Sequence, residues 1–346
     1  MKEAGGFDRF KAVQRKAVRV SDQELVKTGD MNEQRFPWVI EPNVEGLSLV
    51  SWAGNHREFL DQALNREGAI LFRGFGIDPL GGLEQFVEAT SGAALKYTER
   101  SSPRSQVQGR VYTSTDHPPS QTIFLHNEQS YSLIFPLRIL FACVTAAEQG
   151  GETPIANCRN VLAHLRPEVR RKFEQLGYMY VRNFGDGFGL PWQEAFQTED
   201  PAEVETYCQA NEIEYEWKAG NRLRTRQVRR ALAIHPKNGE PVWFNHLTFF
   251  HVSTLEDPVR SSLLSEFAEE DLPNNTYYGD GSPIEPEVLE ELRAAYHRET
   301  IAFPWQRGDL LMLDNMLSAH GRAPFAGARK IVVAMAEPYR WADIAR

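Results

Sequence analysis

From about residue 111 onward the chain is cut into short apolar runs separated by Gly, Pro and Asn turns. Short runs bounded by turn residues read as strands, and many of them in one chain read as a sandwich or barrel. The pattern predicts strands at 122–125, 138–146, 153–157, 178–184, 230–235, 241–244, 299–303, 309–314 and 330–336. Helices are predicted between them at 161–176, 201–211, 258–268 and 286–296. Upstream, Trp52, Phe59, Leu60, Ala63 and Leu64 recur at helical spacing, so 51–67 is a helix that Gly68 ends. A short buried strand follows at 69–75, then a helix at 80–90, while 36–42 reads as an edge segment. The fold class expected is mainly β with peripheral helices, of the jelly-roll kind. Residues 1–35 are polar and charged and read as a peripheral arm with little fixed structure; 36–346 read as a single domain. The stretch 185–230 is long, charged and aromatic, and interrupts the strands. A connection of this length is usually functional, and it reads as an insert that covers a site, a lid.

A net charge of −9 over 346 residues argues against a general nucleic-acid binder, which needs a basic face. One basic cluster stands out: Arg222, Arg224, Arg226, Arg229 and Arg230. Its first reading is a solvated loop or helix face; the sharper one is a docking patch for an acidic partner or a phosphate-bearing substrate. Cys143, Cys158 and Cys208 are too sparse for a zinc cluster and fit a reducing compartment. The N-terminal residues hold no apolar run and no segment reaches the length of a membrane span, so a cytoplasmic protein without membrane contact is expected.

The chemistry concentrates in two segments. His126 and Glu128 lie two apart after an apolar run, and on an extended chain such side chains share a face. His320 lies between two apolar strands, at the mouth of a β-structure. Two His and one carboxylate occupy one face of an octahedron and leave positions open, as non-haem Fe(II) requires. A hydrolytic zinc site accepts the same set. Two further features favour iron. Arg329 opens the strand at 330–336 on the face of Ile331 and Val333, and an inward cation there needs an anion. Gly150 and Gly151 mark a tight turn that presents the Thr153 hydroxyl.

With these pieces in place, the sequence resembles the taurine dioxygenase and clavaminate synthase superfamily of Fe(II)/2-oxoglutarate-dependent oxygenases. Its texture is closest to the branch of the syringomycin-pathway aspartyl hydroxylase. The matching stretches are LHNEQSYS (125–132), GGETPIAN (150–157), GEPVWFNH (239–246) and DNMLSAHGRAPFAGARKIVVAM (314–335), in the family's order. The resemblance implies a distorted double-stranded β-helix. It implies that His126, Glu128 and His320 hold iron, with 2-oxoglutarate and O2 as cosubstrates. It gives Arg329 to the distal carboxylate of 2-oxoglutarate, with Arg322 as a competitor for that role, and places Thr153 beside the cosubstrate. Halogenases of this kind replace the carboxylate ligand by a small residue; Glu128 is present here, so oxygen insertion is favoured over halogenation.

The resemblance further implies an amino-acid or peptide-like substrate, free or tethered to a carrier-protein partner in natural-product biosynthesis. Arg104, Asn127, Tyr131 and Asn245 are candidate substrate contacts, by nearness to the motifs. His246 and His251, which flank Phe249 and Phe250, read as core or supporting residues, and His117 as a loop residue. Rival outcomes are desaturation, cyclisation or epoxidation on the same iron. Rival classes are a zinc hydrolase and a non-catalytic jelly-roll binding protein.

Overall fold

A computed structural model describes residues 25–31, 36–95, 99, 104–115, 117–185, 187 and 189–344. Its frame is an eight-stranded sheet in the order Val26–Asp30, Trp38–Pro42, Ala69–Phe72, Leu310–Asp314, Ile134–Thr145, Lys330–Arg340, Val111–Thr113, Gln106–Gln108. Pairing is antiparallel throughout except between Trp38–Pro42 and Ala69–Phe72. The central strands read as unbroken apolar runs because both of their faces are buried. In Leu310–Asp314, Leu310 and Met312 pack with Trp52, Leu60 and Phe86 on the side of the N-terminal helices. Leu311 and Leu313 pack with Phe141, Ile155 and Trp305 on the other. Val332 and Ala334 against Ile331 and Val333 repeat this division in Lys330–Arg340. Each buried Leu or Val is worth about 1.5–3 kcal/mol, and a one-residue slip would exchange the two faces, so the register is firmly set.

A three-stranded antiparallel sheet, Ile123–His126, Ser318–Arg322 and Ile155–Asn157, faces this frame through Ile155. The two sheets make the jelly-roll shell that the sequence predicts. A third sheet, Glu214–Lys218, Arg222–Arg229, Tyr178–Phe184 and Asn274–Tyr278, is laid beside it.

Several expected elements are corrected. The helix expected at 161–176 is two, Cys158–His164 and Pro167–Leu176. Leu165 and Arg166 are extended (ψ 141° and 145°), as the residue before a proline prefers. The helix at 51–67 is likewise two, Leu49–Asn55 and Arg57–Glu67, parted at His56. The strand at 299–303 reduces to one bridge, Ile301 to Ile155, because the preceding helix runs on to Glu299. Within the arm at 1–35, Val26–Asp30 is a paired strand; 1–24 and 32–35 lie outside the described residues.

The arginine-rich stretch is neither a loop nor a helix face but the strand Arg222–Arg229. Arg224 and Arg229 are buried and satisfied. Arg224 donates to Asp271 Oδ1 (2.6 Å) and Asn183 Oδ1 (2.8 Å), and Arg229 Nε donates to the Tyr131 carbonyl (2.7 Å). Charge on alternate positions reads as solvation in a sequence, but here partners on the neighbouring elements take it up.

Candidate metal centre

His126 and His320 are direct cross-strand partners in the three-stranded sheet. Partners of this kind bring Cβ atoms to within about 4.5–5.5 Å of one another, and the two imidazole rings lie 4.6 Å apart. Gly321 makes the close pairing possible, since a Cβ there would meet the Ile123 carbonyl oxygen at 2.5 Å. Glu128 follows two residues after His126, and its Oε2 lies 3.7 Å from His320 Nε2. One donor atom from each of His126, Glu128 and His320 falls within 4.8 Å of the others, and all three side chains are buried.

The donors are held from behind. His126 Nδ1 donates to the Phe124 carbonyl (2.8 Å), which leaves Nε2 free to face a metal. Its ring stacks on Phe249 at 4.7 Å and 26°, and that of His320 lies 5.0 Å from Phe141. Glu128 is anchored through its backbone. Its N–H donates to Asn315 Oδ1, and its carbonyl accepts from Asn315 Nδ2, both at 2.8 Å. On the carboxylate, Oε2 accepts from Arg104 Nη2 at 2.7 Å. Burial alone would raise the Glu128 carboxyl, but Arg104 and the two histidines outweigh it and hold it well below the usual carboxylate range. Burial lowers His126 to about 3, with His320 adding to the effect, and burial also lowers His320. The set is therefore two neutral imidazoles and an ionised carboxylate, the protonation state a divalent metal needs.

Beside the donors opens a cavity whose lining includes Arg104, Phe141, Thr153, Phe249, Arg322 and Arg329. Arg329 rests against the glycine turn: its Nε donates to the Gly151 carbonyl at 2.7 Å, and a Cβ on Gly151 would meet its Cδ at 2.9 Å. Both turn glycines have positive φ (66° and 73°), as the tight turn in the sequence suggested. Thr153, just beyond, accepts from Trp305 Nε1 at 3.1 Å. Arg322 spends its two terminal nitrogens on the carbonyls of His117, Pro118 and Gln121, while its buried Nε has no partner among the described residues. Burial, then Arg322, lowers Arg329 to about 10. Neither arginine has a carboxylate partner among the described residues. Two neighbouring cations with spare donors fit a carboxylate placed between them and the metal donors.

Not every candidate lies in this cavity. Asn127 donates to the Asn315 carbonyl (2.7 Å), Asn245 donates to the Ala231 carbonyl (2.9 Å), and the Tyr131 hydroxyl donates to the Glu99 carbonyl (2.8 Å). None of the three is among the cavity-lining residues, so the structure gives them framework bonds where the sequence suggested substrate contact. Asn127 lies just past the strand Ile123–His126, and its amide is committed to the Asn315 carbonyl. Of the four substrate candidates only Arg104 faces the cavity. His246 stands behind His126, with ring centroids 4.8 Å apart, and bonds Ser130 Oγ at 2.7 Å, a supporting role as expected. Phe141, Phe249 and Asn315 were not singled out from the sequence. Nothing local marks Asn315 beyond its place five residues before His320.

The sequence profile of the taurine catabolism dioxygenase TauD, TfdA family matches residues 33–335. The chain is 45% identical over 279 residues to the dapdiamide synthesis protein DdaC of Enterobacter agglomerans, covering 81% of this chain and 85% of that protein. It is 29% identical over 318 residues to a clavaminate synthase-like protein of Arabidopsis thaliana, covering 87% and 93%. In three dimensions it is similar to PvcB of Pseudomonas aeruginosa, with a TM-score of 0.56 at 17% identity over 94% of this chain and 98% of PvcB. At that identity the likeness speaks for the fold. No helix among the described residues is long and apolar enough to cross a membrane.

Proposed function

The chain belongs to the TauD/TfdA family of Fe(II)- and 2-oxoglutarate-dependent dioxygenases, and from that premise we propose that it hydroxylates an unactivated C–H bond of an amino-acid or peptide-like molecule in natural-product biosynthesis, releasing succinate and CO2. The observation that carries this reading is the His126–Glu128–His320 cluster opening onto a cavity with Arg322 and Arg329. The donor set fits iron: two neutral imidazoles and one carboxylate on one face leave room for a chelating cosubstrate and O2. In this reading His126, Glu128 and His320 hold the metal. Arg329 takes the distal carboxylate of 2-oxoglutarate, with Arg322 Nε and the Thr153 hydroxyl alongside. Bound there, iron with 2-oxoglutarate and O2 supplies the oxidising power that breaks the C–H bond. The protein contributes position and dryness: Phe141 and Phe249 keep water from the donors. The similarity to a dapdiamide synthesis protein supports the placement in natural-product biosynthesis and a substrate built from amino acids, free or on a carrier protein. The reading of 185–230 as a cover belongs to this proposal. Tyr207 and Arg229 from that segment hold Glu99 and Tyr131, neighbours in the chain of Arg104 and Glu128.

Anaerobic titration with Fe(II) and 2-oxoglutarate tests the assignment without knowledge of the substrate. The expected result is a visible absorption band that needs both, vanishes in His126→Ala and demands much more 2-oxoglutarate in Arg329→Ala. A folded, iron-loaded parent with no band would overturn it in favour of zinc chemistry or a silent binding fold.

A further inference from the structure

Phe325 is not among the residues that line the cavity, yet two of the lining arginines lie over its ring. The guanidinium carbons of Arg322 and Arg329 are 5.3 Å and 5.5 Å from the ring centroid. The ring's own backbone is fixed. Phe325 N–H donates to the Pro119 carbonyl at 3.0 Å, and the residue pairs with Gly150 in a two-stranded antiparallel ladder. Gly151 N–H donates to the Pro324 carbonyl at 3.0 Å. The double glycine makes this approach possible. A Cβ on Gly150 would run into the Pro324 carbonyl oxygen, and one on Gly151 would meet Phe325 Cβ at 3.0 Å and Arg329 Cδ at 2.9 Å.

The two arginines are held differently. Arg322 is tied by its terminal nitrogens to three carbonyls. Arg329 donates through Nε to the Gly151 carbonyl, and its terminal nitrogens have no hydrogen-bond partner among the described residues. Beyond that one bond, the contact that orients its guanidinium is the Phe325 ring. A ring face attracts a cation within about 6 Å of its centroid, and more strongly where water is excluded. Arg suits such a face because its guanidinium is planar. A guanidinium fixed at Nε and by its face keeps both terminal nitrogens available side by side, the arrangement that grips a carboxylate in two bonds. The ring also draws two like charges toward one place, against the repulsion between them.

We propose that Phe325 is a positioning residue for the cosubstrate: its ring presets the Arg329 guanidinium, with Arg322 beside it, to receive the distal carboxylate of a 2-oxo acid. The inference rests on the proposed function and adds to it the residue that sets the selectivity for a dicarboxylate. A site preset in this way loses less freedom on binding. The ring acts only through the arginines, so it matters for a 2-oxo acid that has a distal carboxylate and not for one that lacks it.

Cobalt(II), which reports its ligands through visible d–d bands, tests this in the full chain. The Co(II)-loaded parent, Phe325→Leu and Phe325→Tyr are titrated with 2-oxoglutarate and with pyruvate, which has the same chelating end and no distal carboxylate. Phe325→Met, also apolar and without a ring, is run beside them so that a Leu variant that does not fold leaves the test standing. In Phe325→Leu the 2-oxoglutarate affinity should fall about 5–30-fold, the range a ring face gives a desolvated cation. Pyruvate and Co(II) affinities should stay within about twofold of the parent, and Phe325→Tyr, which keeps the ring, should keep the 2-oxoglutarate affinity. Equal losses for 2-oxoglutarate and pyruvate, or a fall in Co(II) affinity of the same size, would make Phe325 a packing residue and overturn the proposal. Unchanged 2-oxoglutarate affinity in Phe325→Leu and Phe325→Met would overturn it as well. A parent that binds Co(II) but shows no change with 2-oxoglutarate sinks the proposed function itself, and the inference with it.

Discussion

Asn315 closes both main-chain groups of Glu128, accepting from its N–H and donating to its carbonyl, each at 2.8 Å. The same amide donates to the Pro136 carbonyl at 2.8 Å, and the Asn315 carbonyl accepts from Asn127 Nδ2 at 2.7 Å. The segment between His126 and Glu128 is thereby fastened to the turn that leads into the His320 strand. Asn315→Ala leaves the Glu128 N–H and two buried carbonyls without partners, at a cost of about 1–3 kcal/mol for each such group. The expected outcome is a clear fall in the denaturation midpoint and about 10–100-fold weaker metal binding. Asn315→Asp keeps the acceptor and loses the donor, so it should fall between parent and Ala. Metal titration followed by protein fluorescence reads both. Unchanged metal affinity in Asn315→Ala would separate the clamp from the site.

Gly321 packs against Ile123, the strand neighbour that carries His126 into place. A methyl group there would meet the Ile123 carbonyl at 2.5 Å, and the atom it meets is backbone, which cannot swing aside. Gly321→Ala should part the His126 and His320 strands, with a destabilisation of about 1–3 kcal/mol, as for overpacking elsewhere, and a larger loss of metal affinity than of stability. Thermal unfolding with and without Co(II) measures the two together: the upward shift that metal gives the parent should shrink or vanish.

The metal-free protein should bind a divalent ion near pH 7 without releasing protons from the site. His126 is lowered to about 3, His320 is lowered also, and Glu128 is already ionised. Calorimetric titration in buffers of different ionisation enthalpy should give the same heat in each. The same shift sets a stability profile. A histidine whose folded value is depressed takes up protons first in the unfolded chain, whose value is about 6.5. Stability of the metal-free protein should thus be full above about 6.5 and fall as pH drops from there toward about 3. His126→Asn should flatten part of that fall, as read from denaturant midpoints across the range.

The sequence made some of this legible and hid the rest for physical reasons. His126, Glu128 and His320 could be found because the spacing of the first pair is local and the third stands between two apolar strands. The central strands were visible because burial on both faces leaves a continuous apolar run. The strand Arg222–Arg229 was not, since the partners of Arg224, the Asp271 carboxylate and the Asn183 amide oxygen, come from far along the chain. Asn127, Tyr131 and Asn245 were proposed for substrate because they neighbour the motifs in sequence. None of the three lies within a strand: Asn127 and Tyr131 follow the strand that ends at His126, Asn245 follows the one that ends at Trp243, and their side chains bond into the frame. Asn315 escaped notice because its role is wholly tertiary.

The segment 185–230 offers a last prediction. Its Tyr207 hydroxyl donates to Glu99 Oε2 at 2.8 Å, as does Ser132 Oγ at 3.1 Å, and the Tyr131 hydroxyl meets the Glu99 carbonyl. Burial raises the Glu99 carboxyl, with Arg182 and then Tyr207 opposing. Tyr207→Phe removes one donor from a buried carboxyl, a loss of about 1–3 kcal/mol. If this segment is a cover, the loss should appear locally. Amide exchange should quicken across 201–218 and around residue 99, and substrate turnover should become less tightly coupled to 2-oxoglutarate consumption, while Co(II) affinity stays within about twofold of the parent, within the spread expected of sites that do not share partners. Faster exchange with coupling intact would leave the segment a structural buttress and remove the cover from the proposed function.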